Sequence, residues 1–149
     1  MVAPKAPFPA MDGPSTLQGA CHCKAVHFTL HLADGFASAR RCDCSFCRMR
    51  GAVVVSAIAA HFTLHGAENL TLYQFNTKVA KHWFCRICGV YTHHVRRSDP
   101  SGIGVNIACL DGVSPFDLAE VKVMDGVNHP SDNDGRSRIA GLLRYHRGS

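Results

Sequence analysis

The sequence lacks any apolar stretch long enough to cross a bilayer. No segment approaches the roughly 20 consecutive apolar residues that a membrane-spanning helix needs, and no charged start leads into an apolar run of signal-peptide length. From these two absences we expect a soluble, cytoplasmic protein without a membrane partner.

Dense basic runs are also scarce. The 16 Lys and Arg residues stand against 11 Asp and Glu residues, which gives a formal net charge of +5. Nucleic-acid-binding chains concentrate Lys and Arg on one face or in one run, and this sequence does not. We therefore predict no nucleic-acid partner, whereas a small anionic molecule would suit the modest positive charge.

Helical periodicity is weak before the last 20 or so residues, as counted on the helical repeat. With 149 residues, 46% of them hydrophobic, the chain has material for one domain with one core. We predict a flexible, proline-rich arm over residues 1 to 17, a domain over residues 18 to 130 and a tail over residues 131 to 149. Ile139, Leu142 and Leu143 lie at helical spacing, which predicts a short C-terminal amphipathic helix.

Strand-like runs fill the central region. In residues 24–32, apolar side chains alternate with polar ones, and Val26, Phe28, Leu30 and Leu32 share one face, as in a half-buried strand. Further runs follow at residues 52–58, 70–75, 79–84, 90–95, 103–110 and 118–124. Their regular separation by Gly, Asn, Asp or Pro predicts a mainly β, antiparallel domain.

Cysteine, by contrast, is abundant, with 8 residues in the chain. Without an export signal, we expect these cysteines to hold metal as thiolates rather than to form disulfides. Seven of them form three groups, which are Cys21 with Cys23, Cys42 with Cys44 and Cys47, and Cys85 with Cys88. Zinc is the first metal that such spacings indicate.

The spacing separates a closed site from an open one. Two cysteine pairs, Cys21 with Cys23 and Cys85 with Cys88, together supply the four ligands of a structural zinc. The remaining group supplies three sulfurs and leaves a fourth position for water, a substrate or a histidine, as in catalytic zinc sites. The sequence therefore predicts two Zn²⁺ per chain. Arg40, Arg41, Arg48 and Arg50 flank the three-cysteine group and would balance its negative charge.

Other interpretations of the cysteines stay open at this point. Buried cysteines can be simple small hydrophobes, and Cys85 with Cys88 could form a redox pair, although the strand-to-helix context of such pairs is missing. Cys109 lies in an apolar run, where we expect a buried, inert thiol. It is also a candidate for the fourth ligand of the open site.

The cysteine motifs and their neighbours resemble the glutathione-dependent formaldehyde-activating enzyme family, which includes the centromere protein V relatives. The matching segments are residues 19–23, 42–47, 72–75, 82–89, 106–111 and 125–128, within a resemblance that covers about residues 18 to 130. The resemblance implies a β-tent-like fold in which a structural zinc bridges two sheets and a second zinc lies at a substrate cleft. The sequence departs from the family pattern at Lys24, where glycine is common, and at His129, where another aromatic residue is common.

The resemblance also implies an activity, namely carbon–sulfur lyase chemistry that joins glutathione to formaldehyde or a related small aldehyde. Cys42, Cys44 and Cys47 would hold the catalytic zinc. His82 is our candidate for the proton-transfer or oxyanion-stabilising residue, with His93 and His94 as alternatives. Arg48, Arg96 and Arg97 are the candidates for binding the glutathione carboxylates.

Two rival functions follow from the same residues. One is a non-catalytic, zinc-stapled module that binds a thiol or a protein. The other is a B-type methionine sulfoxide reductase, which would need a reactive cysteine outside the metal groups, and only Cys109 meets that condition. The sequence does not indicate an oligomeric state.

Overall fold

The structure is a computed structural model that describes residues 16–149. The predicted N-terminal arm lies outside the described residues over positions 1–15. Its last residue, Leu17, is instead the first residue of a strand.

Within the described range the chain is almost entirely strand and loop. The strands are β1 (Leu17–Ala20), β2 (His27–Leu30), β3 (Arg40–Cys42), β4 (Val54–Ala57), β5 (Thr63–His65), β6 (Leu70–Tyr73), β7 (Lys81–Cys85), β8 (Tyr91–Val95), β9 (Ile103–Asn106), β10 (Glu120–Met124) and β11 (Ile139–Arg144). One α-helical turn, α1, spans Cys47–Arg50. Short 3-10 helices occupy Ala59–His61, Ala67–Asn69, Ile107–Cys109, Pro115–Asp117 and Pro130–Asp132. The expectation of a mainly β fold is confirmed.

The strands form two sheets. The smaller sheet has the order β1-β2-β5, and the larger has the order β11-β10-β3-β4-β9-β8-β7-β6. The named strand pairs are antiparallel except β10 with β3, so the expectation of a purely antiparallel domain is wrong at this point. A parallel pair cannot be joined by a tight hairpin, and β3 and β10 pair only after a long excursion of the chain.

Every predicted strand run contains a strand, and the alternation in residues 24–32 is confirmed, because Val26, Phe28, Leu30 and Leu32 are all buried. The sequence reasoning missed β1, β3, β5 and β11. Each of the first three has only three or four residues, which is too short for a periodic signal.

The predicted C-terminal helix is wrong. Ile139, Leu142 and Leu143 belong to β11, which pairs antiparallel with β10 and places Leu143 opposite Val121. Helical spacing in a short segment is a weak signal, and an available sheet edge offers hydrogen bonds to every second backbone group. The tail therefore extends the larger sheet.

A single main core lies between the two sheets. Phe28 and Leu30 from β2 pack with Val55 of β4, Val105 of β9 and Ile107, and each of these side chains is almost completely buried. Full burial of a side chain of this size contributes about 1.5–3 kcal/mol. Among the described residues, no helix combines the length and the apolar character that crossing a membrane requires.

Candidate metal centre and cleft

Four cysteine sulfurs meet where the two sheets adjoin. The sulfurs of Cys21, Cys23, Cys85 and Cys88 all lie within 4.8 Å of one another. The Sγ atom of Cys23 is 3.6 Å from that of Cys21 and 3.6 Å from that of Cys85. Four thiolates around one zinc, with zinc–sulfur distances of about 2.3 Å, stand about 3.8 Å apart. The donor set and its spacing therefore fit one tetrahedral ion.

The backbone brings these four residues together from distant parts of the chain. Cys21 directly follows β1 of the smaller sheet, and Cys85 is the last residue of β7 in the larger sheet. The backbone N–H of Val26 donates to the sulfur of Cys21, and that of Ile87 donates to the sulfur of Cys85, both at 3.4 Å. A metal in this cluster would tie the sheets together.

The second cluster comes from one short segment. Cys42 ends β3, Cys47 begins α1, and Cys44 lies between them, with the three sulfurs within 4.8 Å of one another. Among residues 16–149, no further His, Cys, Asp or Glu joins this group. The sulfurs of Cys42 and Cys47 hold the pKa of Cys44 far below its usual range, and the sulfurs of Cys42 and Cys44 raise the pKa of Cys47. The three sulfurs thus compete for the same protons, and one bound cation could interact with all three.

Asp43 and Gly126 hold the loop after β10 against the three-cysteine cluster. Asp43 accepts hydrogen bonds from the backbone N–H groups of Gly126 (2.7 Å) and Val127 (3.1 Å). A Cβ atom on Gly126 would lie only 2.3 Å from the Sγ atom of Cys42. Only glycine allows the loop to approach the sulfur this closely. The family motif contained both residues, but spacing alone did not reveal these supporting roles.

Cys109 belongs to neither cluster. Its buried thiol donates a hydrogen bond to the backbone carbonyl of Tyr91 at 3.5 Å, and burial raises its pKa to about 12. A thiol of this kind is a poor nucleophile. The environment of Cys109 therefore speaks against methionine sulfoxide reductase chemistry, and Cys109 is not the fourth member of the three-sulfur cluster.

The three-cysteine cluster borders a cleft of ≈ 530 Å³. Seven arginines line this cleft, namely Arg40, Arg41, Arg48, Arg50, Arg96, Arg97 and Arg138, together with the acidic residues Asp125 and Asp132. The lining thus carries five more positive than negative side chains. Such a surface attracts an anionic ligand.

The three predicted substrate-binding arginines all line the cleft, but their states differ. Arg97 forms a two-pronged pair with Asp132, through hydrogen bonds of 2.9 and 2.5 Å. Arg96 donates weakly to the hydroxyl of Ser98 at 3.5 Å. Within residues 16–149, no hydrogen bond or ion pair engages the guanidinium of Arg48, so it is the most available of the three.

His82 lies in the cleft wall and is held from several sides. Arg50 donates from Nη1 to Nδ1 of His82 at 3.0 Å, which assigns the proton of the neutral ring to Nε2. The ring of Phe46 packs against His82 with centroids 4.6 Å apart. Burial, assisted by the charge of Arg50, lowers the pKa of His82 to about 4. At neutral pH the ring is therefore uncharged and carries its N–H at Nε2.

Arg50 connects this histidine to the thiolates. Its Nη2 donates to the sulfur of Cys47 at 3.5 Å, and its guanidinium lies 3.7 Å from the centre of the Tyr91 ring. The sequence indicated only a charge-balancing role for this arginine. Its position at the end of α1, one helical turn after Cys47, is the signal that could have revealed the contact.

His94 and His93 fall on opposite faces of β8. A bulge at Thr92 places Tyr91 on the same face as His94, and the tyrosine hydroxyl is 2.5 Å from Nδ1 of His94. His94 lines the cleft and stacks on His82, with ring centroids 5.4 Å apart. His93 packs instead against Phe62 and does not line the cleft. The structure therefore brings together two of the three candidate histidines.

The two departures from the family pattern have different surroundings. Lys24 adopts φ = 68°, a left-handed conformation that favours glycine. His129 lines the cleft, and its Nδ1 accepts a hydrogen bond from the backbone N–H of Ser131. His129 thus places an aromatic ring in the cleft wall, as the family's usual residue would. Lys24 instead occupies a strained turn beside the four-cysteine cluster.

Fold and site together define a β protein with two cysteine clusters suited to metal, one between sheets and one at a basic cleft. The model of the glutathione-dependent formaldehyde-activating enzyme family matches residues 16–122. The chain therefore belongs to this family.

Two known proteins are similar to this chain. A Halomonas elongata protein, provisionally named a glutathione-dependent formaldehyde-activating enzyme, is 33% identical over an alignment of 81 positions that covers 48% of this chain and 51% of that protein. The chain thus matches about half the length of this curated relative. A crystal structure of a Rhodobacter sphaeroides protein superposes with a TM-score of 0.70 at 60% identity, covering 71% of this chain and 98% of the other.

Proposed function

We propose that this chain is a zinc-dependent enzyme of the carbon–sulfur lyase type, which joins the thiol of glutathione to formaldehyde or a related small aldehyde. The observation that carries the proposal is the three-sulfur cluster of Cys42, Cys44 and Cys47 at the edge of an arginine-lined cleft. Membership of the family supports the substrates. We assign one zinc to each cysteine cluster, with the structural ion in the four-cysteine cluster.

The three-cysteine cluster suits an open metal site. Cys42, Cys44 and Cys47 would hold the ion, and a bound zinc would supply the positive charge that lowers the pKa of a substrate thiol so that it reacts as a thiolate at neutral pH. Arg50 lies against Cys47 and offsets part of the negative charge of this sulfur. The chain thereby limits the charge that gathers when another thiolate arrives.

The arginines of the cleft position the rest of the thiol substrate. Glutathione carries two carboxylates, and a guanidinium binds a carboxylate through two parallel hydrogen bonds. Arg48 and Arg96 are the proposed contacts. Arg97 would have to exchange Asp132 for the substrate, because both of its terminal nitrogens already bind that carboxylate.

His82 is the proposed donor to the aldehyde oxygen. When the thiolate adds to the carbonyl carbon, the oxygen gains negative charge; the N–H of His82 would stabilise it by a hydrogen bond, and solvent water would supply the proton. Because Nδ1 of His82 accepts from Arg50, its proton resides on Nε2 and is available for donation. Neutral imidazole with a pKa of about 4 is a donor rather than a base at neutral pH.

Replacement of Cys44 by serine tests the proposal. We expect the Cys44→Ser protein to stay folded, to contain one zinc instead of two, and to lose at least about a hundredfold of the rate above the spontaneous reaction. Zinc is counted by mass spectrometry, and the adduct of glutathione with ¹³C-formaldehyde is followed by NMR.

The matched control is Cys109→Ala, which removes a thiol that lies outside both clusters and should retain two zinc ions and full activity. Unchanged catalysis by Cys44→Ser after the loss of one zinc would refute the mechanism. A wild-type protein whose melting temperature rises with glutathione, yet which never accelerates adduct formation, would instead be a thiol-binding module.

A further inference from the structure

Four histidines form two facing pairs, one on the smaller sheet and one just beyond its strands, where His31 follows β2 and His61 ends the 3-10 helix before β5. His27 of β2 is the register partner of His65 of β5, and the next outward row pairs Thr29 with Thr63. Beyond it, His31 stacks on His61. The alternate residues of β2, among them Phe28 and Leu30, point into the core, so the histidines lie on the outer face.

The imidazoles within each pair are already close and nearly parallel. The ring centroids of His27 and His65 are 5.0 Å apart with an interplanar angle of 14°, and those of His31 and His61 are 4.7 Å apart at 20°. Two imidazole nitrogens that bind one tetrahedral ion at about 2.0–2.1 Å stand about 3.3 Å apart. To aim two nitrogens at one ion, the rings of each pair would have to rotate out of their parallel stacking, and three of the four histidines are exposed.

Few other groups compete for these nitrogens. Within residues 16–149, neither His27, His61 nor His65 takes part in a side-chain hydrogen bond, and His31 has one, between Nε2 and the Thr16 hydroxyl at 2.9 Å. Its Nδ1 is then left for another partner. A cation shared by two facing imidazoles would be held by two coordinate bonds.

We propose that His27 with His65, and His31 with His61, are two surface sites for a divalent transition-metal ion of the zinc, nickel and copper class. Each site supplies two imidazole nitrogens, which are ligands such ions favour, and water would complete the coordination. Neither site uses a cysteine. The first pair lies near the four-cysteine cluster in space, because His27 pairs across the strands with Ala20, the residue before Cys21.

Nickel is the appropriate probe, because it binds imidazole well and its paramagnetic form broadens nearby proton signals. The full-length, tag-free protein is first saturated with Zn²⁺ and desalted, so that the thiolates are occupied, and is then titrated with NiCl₂ by calorimetry and by NMR of the imidazole protons. We expect two Ni²⁺ to bind, with broadening confined to His27, His65, His31 and His61.

Substitutions separate the two sites from ordinary surface histidines. His65→Asn should abolish the first site and His61→Asn the second, with each affinity falling at least about tenfold, since one imidazole lacks the effective concentration of a facing partner. The exposed histidines His22 and His146 provide matched controls, and His22→Asn or His146→Asn should leave both sites intact.

The combined variant His61→Asn/His65→Asn decides the matter. Both positions are exposed, so the fold should be retained, and an unchanged melting temperature verifies this. Wild-type nickel affinity in this variant would overturn the proposal, as would broadening of His22 and His146 to the same extent as the paired histidines.

Discussion

The two cysteine clusters use the same ligand atoms in opposite ways. In the four-cysteine cluster, Cys21 and Cys85 are 1% and 0% exposed, whereas Cys23 is exposed and Cys88 half-buried; the four residues come from both sheets or their flanking turns. Cys42, Cys44 and Cys47 are each half-buried, come from a single segment and border the cleft. A full ligand set drawn from two sheets suits a structural role, whereas an incomplete set from one segment at the edge of a cleft suits binding.

Their electrostatic surroundings differ as well. Arg50 touches the sulfur of Cys47, and six further arginines line the adjoining cleft. Arg86, beside the four-cysteine cluster, is exposed and binds the backbone of Glu68 and the side chain of Asn69 instead of a sulfur. Arginines of this chain therefore concentrate around the open cleft and not around every group of thiolates.

Loss of a buried ligand from the four-cysteine cluster should have the largest effect. We expect Cys85→Ser to lose the structural metal and most of the folded population, because such ions contribute several kcal/mol or more to folding. Circular dichroism melting and zinc counting measure both quantities. Cys109→Ala is the control and should melt within a few degrees of wild type. A cooperative wild-type melt of Cys85→Ser would contradict the assigned role.

Steric disturbance of the three-cysteine cluster should come next. In Gly126→Ala, the new methyl group would meet the sulfur of Cys42 at 2.3 Å, so the loop or the thiolate must move. We expect about a tenfold to hundredfold loss of zinc affinity at this cluster, with the four-cysteine cluster unaffected. Competition with a chromophoric chelator measures this. Gly141→Ala, with open space around its added Cβ, should bind zinc as wild type does.

Removal of the Arg50 charge should impair catalysis without unfolding the protein. Arg50→Met keeps much of the packing against Tyr91 but removes the hydrogen bond to His82 and the contact with Cys47. We expect about a tenfold or greater loss of rate and a higher pKa for His82. NMR titration of the imidazole reports that pKa. Arg86→Met should change neither quantity, and equal losses in the two variants would refute the contrast between the clusters.

Acid should destabilise the fold through two buried histidines. Burial lowers the pKa of both His82 and His93 to about 4, from an ordinary value of 6.5. Below pH 6.5 the unfolded chain binds more protons than the folded one, so this stability is complete above pH 6.5 and is lost as pH falls towards 4. Melting temperatures between pH 4 and 8 should fall less steeply in His82→Gln and His93→Gln than in wild type.

Protonation of the cluster thiolates affects all three of these proteins, so the difference between their slopes isolates the imidazoles. Identical slopes in wild type and in both variants would count against burial as the cause of the two pKa shifts.

The smallest effect should come from the turn beside the four-cysteine cluster. Lys24 has φ = 68°, where a side chain costs about 1 kcal/mol, so Lys24→Gly should raise the free energy of unfolding by up to that amount. Gly89, at φ = 77°, is the reverse case, and Gly89→Ala should lower it by a similar amount. Chemical denaturation measures both. Destabilisation by Lys24→Gly would mean that the lysine side chain makes a compensating contact.

Much of the architecture could be predicted because strand alternation and cysteine spacing are local properties. The run around Phe28 and Leu30 alternates cleanly, and all of its predicted inward residues are buried. The C-terminal strand could not be predicted, since Ile139, Leu142 and Leu143 fit a helix equally well until β10 supplies hydrogen-bond partners. The parallel pairing of β3 with β10 likewise depends on contacts between distant segments.

The candidate site shows the same division. Cys42, Cys44 and Cys47 were predicted as a group because they are close in sequence. His82 and His94 could be separated from His93 only with the register and the bulge of β8 in hand. Arg97 was predicted to bind substrate, and only the folded chain brings Asp132 against it.

By itself, the sequence determined which atoms are available to hold metal and which short runs extend as strands, because ligand spacing and side-chain alternation act over a few residues. The tertiary structure alone decided which sulfurs meet across the sheets, which arginines face the cleft uncompensated and which histidine is held neutral. Those outcomes depend on burial and on charges that are distant along the chain, and both exist only after the sheets have packed.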